Sequence, residues 1–190
     1  MNPYAIALFI HFLGLVGLVV GYGLEWAASS LLRRSTAADQ ARAWLRVYKL
    51  SLPISGPGLL VLIISGGYMA SVTGSMKQGW MSASLLAIVL ALGIGFVFIL
   101  PRVRTLRAAL PDANVNLPDA TLTRVQDPMI ATLVRVRFLL ALGIIYLMTT
   151  KPEALSTSLF ILLGFIVVGL LFAATAWTTR PSARQTVRAS

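Results

Sequence analysis

Cysteine is absent from this chain and histidine occurs once, at His11. The first absence excludes disulfides, cysteine-based zinc sites, thiol chemistry and iron–sulfur clusters. The second excludes a multi-histidine zinc site within one chain. Charge is scarce as well: charged residues make up 12% of 190 positions, where an ordinary soluble domain has about 25%. No Gly-rich phosphate loop follows a strand-like run, so ATP use has no support. What the chain has in excess is apolar surface, 57% of residues, with a mean hydropathy of +0.83. A water-soluble fold of this length cannot hide that much, and lipid is the expected solvent for much of it.

Five apolar runs define the expected architecture: an all-α, polytopic membrane bundle with spans at 4–24, 57–76, 81–100, 128–149 and 156–178. At 1.5 Å rise, about 20 helical residues cross a hydrocarbon core of about 30 Å. The first run has no Lys or Arg before it and exceeds a typical signal core, so it reads as a retained span. The uncharged part of the fourth is short. Asp127 as N-cap and Pro128 as first helical residue extend it, which brings Arg135 and Arg137 to a membrane boundary.

The net charge of +10 is explained by topology rather than by nucleic acid, which is not an expected partner. Basic residues crowd the first and third connections and the tail. Only Lys77 and Lys151 fall in the alternate connections. The positive-inside rule then gives an N-out, C-in protein of the bacterial inner membrane. Residues 1–179 form one transmembrane domain and 180–190 a flexible basic cytoplasmic tail. In the first connection, Ser35 or Thr36 caps a short amphipathic helix along the headgroup layer, with Ala37, Ala41, Trp44, Leu45 and Tyr48 on one face. Pro53 and Pro57, with Gly56 and Gly58, mark the turn into the second span. Trp26, Trp80 and Trp177 sit near span ends as interfacial anchors.

A histidine inside a span faces protein, cofactor or cavity rather than lipid. His11, Leu15, Leu18, Tyr22 and Glu25 follow three- and four-residue steps and form one face. Gly14, Gly17 and Gly21 make a neighbouring narrow face where another helix, or a second copy of the chain, can approach closely. The plain role for His11 is a hydrogen bond to Ser, Thr, Tyr or backbone on a neighbouring span. The alternatives are haem or metal ligation and a proton or solute path. Imidazole is a competent haem ligand, and Tyr22 shares its face. Imidazole with thioethers suits Cu(I), and Met69, Met76, Met81 and Met148 lie toward the same outer side. Glu25, near the opposite boundary, is expected to pair with Arg135 from the fourth span. Ser65, Gly66 and Gly67 in the second span, and Gly93 and Gly95 in the third, are sites of close packing or kinking.

The run His-Phe-Leu-Gly-Leu at 11–15, Gly-Tyr-Gly-Leu-Glu-Trp at 21–26, Leu-Pro-Ile-Ser-Gly-Pro-Gly at 52–58 and Ile-Ser-Gly-Gly-Tyr at 64–68 resembles small bacterial membrane proteins of the DUF2269 type. That type is more distantly similar to copper-resistance D proteins and to haem-using membrane protoporphyrinogen oxidases. In those oxidases an early-span histidine is functional, and His11 is the matching position. The resemblance implies haem or copper near His11, with a redox or metal-handling role. Small-solute or proton transport is one alternative; a non-catalytic subunit or scaffold in a larger membrane complex is another. Membrane lipid is the expected surrounding partner in each case. In intact spheroplasts an N-terminal tag should be labelled from outside and a C-terminal tag protected; both ends on one side would overturn the five-span topology.

Overall fold

The computed structural model describes residues 2–111 and 115–178. The tail expected at 180–190 lies outside the described residues. The described chain is helical, with one isolated backbone bridge between Ala37 and Asn116. Helix α1 covers Pro3–Leu32 and α2 Ala38–Thr73. Helix α3 covers Gly79–Gly93, passes through a π-helical turn at Ile94–Ile99 and continues as α4, Leu100–Ala108. Short α5 is Asp119–Val125, α6 Pro128–Thr150 and α7 Leu155–Thr178. Five of the helical stretches are long and apolar enough to cross a membrane: 3–32, 38–73, 79–108, 119–150 and 155–175.

Two expectations about the first connection change. The segment after it is helical, but it is not a separate interfacial helix. It is the first part of α2, which runs on through Pro53 and Pro57 to Thr73. Each proline lacks the N–H that would bond the carbonyl four residues back. A buried helix tolerates that loss when neighbours hold it, and α1 packs along its length. The face holding Ala38, Ala41 and Leu45 is buried against Leu106, Leu110, Leu117 and Val125 rather than laid on headgroups. The cap also differs. Neither Ser35 nor Thr36 caps the helix: Ala37 is the N-cap, and the Ala38 N–H donates to the Val115 carbonyl at 3.0 Å. Ser35 Oγ instead donates to Leu31 O at 3.3 Å.

The start expected for the fourth span holds. Asp127 accepts from Met129 N at 2.9 Å and Pro128 opens α6. Helix α6 is central: 61% of its most apolar window is buried, against 22–28% in the other four. That position explains how it tolerates two arginines. The connections divide into two ends. Ala37 meets Asn116, and Arg33 Nε donates to Gln126 O at 3.3 Å, so the first and third connections form one basic end. At the other end Gly79 N donates to Glu153 O at 3.0 Å. Trp80 is buried there rather than interfacial, with Lys151 6.0 Å from its ring centre; Trp26, at the basic end, packs edge-on against Phe138. Trp177 remains exposed as an anchor should, its Nε1 donating to Thr132 Oγ1 at 3.1 Å.

The α1–α2 contact is a seam of small residues. Buried α1 positions Ala7, His11, Gly14, Leu18, Gly21, Glu25, Ala28 and Leu32 repeat at alternating four and three, the spacing of an antiparallel helix pair packed side by side. A Cβ on Gly14 would lie 2.8 Å from the Gly58 carbonyl oxygen, and one on Gly21 2.5 Å from Ser55 Cβ. The close partner expected at Gly14, Gly17 and Gly21 is therefore α2 of the same chain. It occupies the face assigned to a homodimer, so that dimer surface is corrected. Gly21→Ala should destabilise the bundle by about 1–3 kcal/mol through overpacking. Gly23→Ala, which meets nothing within 4 Å, should be near neutral. Unfolding in mixed micelles compares them, and equal stability of the two variants would contradict the seam.

Candidate functional site: a buried carboxylate–guanidinium pair

The seam contains a buried charge. Glu25 and Arg137 are 3% and 7% exposed, and Arg137 Nη1 donates to both carboxylate oxygens, at 3.1 Å to Oε1 and 2.9 Å to Oε2. Ser51 Oγ lies 3.0 Å from Oε1 and 2.7 Å from the Tyr48 carbonyl, so its one proton is shared between two acceptors. The Arg137 guanidinium carbon stands 4.2 Å from the Tyr22 ring centre, within the range where ring and cation attract. Gly95 closes the other side: a Cβ there would be 3.0 Å from that same carbon. Gly95 belongs to the π-helical turn. Pro101 follows, unable to donate a backbone bond, and such turns are frequent at functional sites.

This corrects one pairing. Arg135 does not meet Glu25. Its Nη1 donates to Phe172 O at 2.8 Å and to Thr175 Oγ1 at 3.4 Å, and its guanidinium lies 5.9 Å from the Trp26 ring centre. Positions two apart on a helix point to opposite sides, so only one of the two arginines can reach Glu25. Arg137 is that one. Ser51, Tyr48 and Gly95 were not assigned to this site from sequence. A usable signal was the run of small residues Ser51, Ser55 and Gly58, which continues the α2 face begun by Ala38, Ala41 and Leu45.

His11 sits farther along the same seam. Its Nδ1 is 3.0 Å from Ser65 Oγ, and that hydroxyl donates to Val61 O at 2.5 Å. With the serine proton directed at Val61, the Nδ1–H tautomer satisfies this contact. Gly66 leaves room for the ring; a Cβ there would be 3.1 Å from Cε1. The proposed sulfur ligands lie in different surroundings. Met69 is half-buried one turn beyond Ser65, and Met76 is exposed. Met81 and Met148 pack with Trp80, Leu140 and Leu147 between α3, α6 and α7. Among the described residues no group of three or more His, Cys, Asp or Glu is placed to hold a metal. A hydrogen bond at Nδ1 is compatible with ligation through Nε2, but among the described residues no metal-ligand group is assembled around this one imidazole.

A cavity of about 270 Å³ opens above the ion pair, between α2 and the α3–α4 helix. Its floor is Glu25, Ser51 and Arg137; its walls are Leu45, Leu52, Phe96, Leu100 and Val103; its rim carries Lys49, Arg104 and Arg107. The cavity takes in Glu25 but neither His11 nor Tyr22. About 14 residues of helix, roughly 21 Å, separate His11 from Glu25.

Fold and site together define a multi-span helical membrane protein with a polar centre inside the bundle. The family model described as predicted integral membrane protein (DUF2269) matches residues 5–152, and the chain belongs to that family. No curated protein and no solved structure matches it. Arg137→Ala should cost about 3–5 kcal/mol, because it leaves Glu25 charged, buried and unpaired. Arg135→Ala, at a half-exposed site, should cost about 1 kcal/mol or less. Reversible denaturation in mixed micelles ranks the two, and the opposite order would restore Arg135 as the partner.

Proposed function

We propose that this chain is a membrane-embedded binding protein whose ligand site is the cavity over Glu25 and Arg137. The cavity itself carries the reading: apolar walls around a few convergent polar groups are the usual make-up of a small-molecule site. Its volume suits a small molecule or one end of a larger one. The clustering of basic connections at this end supports a cytoplasmic face for it, and hence N-out, C-in insertion in a bacterial inner membrane.

Haem or copper near His11 has less support. The Ser65 hydrogen bond gives the imidazole a structural role, and the likeness to copper-resistance D proteins and haem-using oxidases rests on His11. A solute or proton path joining His11, Tyr22 and Glu25 has less support too, because the cavity stops at the ion pair. Binding is therefore proposed without a redox step. Native mass spectrometry of the full chain from neutral detergent should detect one retained small molecule per chain. Val103→Trp, which fills the wall, should lose it. No adduct, or one unchanged by Val103→Trp, would contradict the cavity as the site; a haem absorption band or stoichiometric copper would return the centre to His11.

A further inference from the structure

We infer that the ligand is a single-chain amphiphile bearing a phosphate monoester. This rests on the cavity reading above and adds the chemical class of its occupant. A second cavity, of about 220 Å³, adjoins the first and shares Leu45, Lys49 and Arg107 with it. Its other lining residues are Arg42, Arg46 and Leu110. Among the described residues, the lining of the two chambers contains one carboxylate, Glu25, and Arg137 already neutralises it.

The arrangement exceeds what membrane topology asks of basic loops. Topology requires arginine and lysine on one side of the membrane but not on facing helix surfaces. Here Arg42, Arg46 and Lys49 step by four and three along α2, while Arg104 and Arg107 step by three along α4. Both rows line the same pair of chambers. Arg46, Lys49, Arg104 and Arg107 are exposed and Arg42 already donates to the Pro111 carbonyl, so the first four set a positive field at the mouths of the chambers. A monoanion leaves most of that charge unmatched. A phosphate monoester carries about −1.5 to −2 at pH 7, with three acceptor oxygens. The apolar end of the first chamber then needs a hydrocarbon partner. Leu52 and Phe96 on its wall are themselves more than half exposed on the bundle surface. A chain anchored at the cations thus passes over Leu100 and Val103 and leaves between α2 and α3 into lipid.

The test uses the full chain in a neutral maltoside detergent with three probes: dodecyl phosphate, dodecanoate and inorganic phosphate. Native mass spectrometry reads occupancy. Dodecyl phosphate should bind one per chain, at least tenfold more tightly than either other probe. Replacing exposed Lys49 and Arg107 together by glutamine should weaken it tenfold or more. Dodecanoate binding as tightly would remove the need for a dianion. Inorganic phosphate binding as tightly would remove the chain. Dodecyl phosphate affinity unchanged in the double variant would remove the basic chambers. A neutral amphiphile bound in the cavity and lost in Val103→Trp would sink the phosphate class while leaving the cavity as the site. Absence of any adduct would sink both.

Discussion

A carboxylate and a guanidinium taken out of water in one bundle must meet each other, or the fold carries the desolvation of both. Each ion alone costs several kcal/mol to bury, and only close pairing with further hydrogen bonds offsets it. Glu25 and Arg137 meet the pairing condition, with Arg137 Nε left buried and without a hydrogen bond among the described residues. Arg137 Nη1 reaches both carboxylate oxygens, Ser51 supports one of them, Tyr22 faces the guanidinium, and Gly95 leaves it room. The contact joins α1, α2, α6 and the π-helical turn before α4 at one point. Helix register in this half of the bundle follows from it, since sliding any one helix by a turn, about 5.4 Å, would break the pair.

The small-residue seam makes that register attainable. Lipid tails are as apolar as leucine, so helices in a bilayer associate through close packing and hydrogen bonds rather than through a hydrophobic drive. Gly14 against Gly58, Gly21 against Ser55, and His11 against Ser65 bring α1 and α2 near enough for Ser51 to reach Glu25. His11 and Glu25 thereby act as polar fixtures in one interface. The cavity lies beside Glu25, where α4 approaches from the π turn, and the gap between α2 and α4 is lined by side chains of both.

Much of the architecture was legible from composition and spacing. Five spans, the Asp127–Pro128 start of α6 and the close-packing role of Gly14, Gly17 and Gly21 all followed from local rules. The errors came where tertiary contact overrode those rules. Pro53 and Pro57 normally end helices, yet α1 holds α2 intact across them. Arg135 and Arg137 both suit a snorkelling position, and only the rotation of α6 decides which meets Glu25. Gly93 and Gly95 look alike in the sequence; one meets nothing within 4 Å and the other abuts the guanidinium. His11 drew attention by its rarity, but its serine partner is 54 positions away. No local pattern names that serine.

The family places this chain among integral membrane proteins, and the site proposed for it lies at the basic end rather than at the histidine. A double-mutant cycle on Glu25 and Arg137 tests that account most directly. Glu25→Gln, Arg137→Met and the two together are compared by reversible unfolding in mixed micelles. The predicted result is a double variant far less destabilised than the sum of the singles, with a coupling of about 1–3 kcal/mol. Strict additivity would show that the two side chains act independently, and the ion pair would no longer explain the fold.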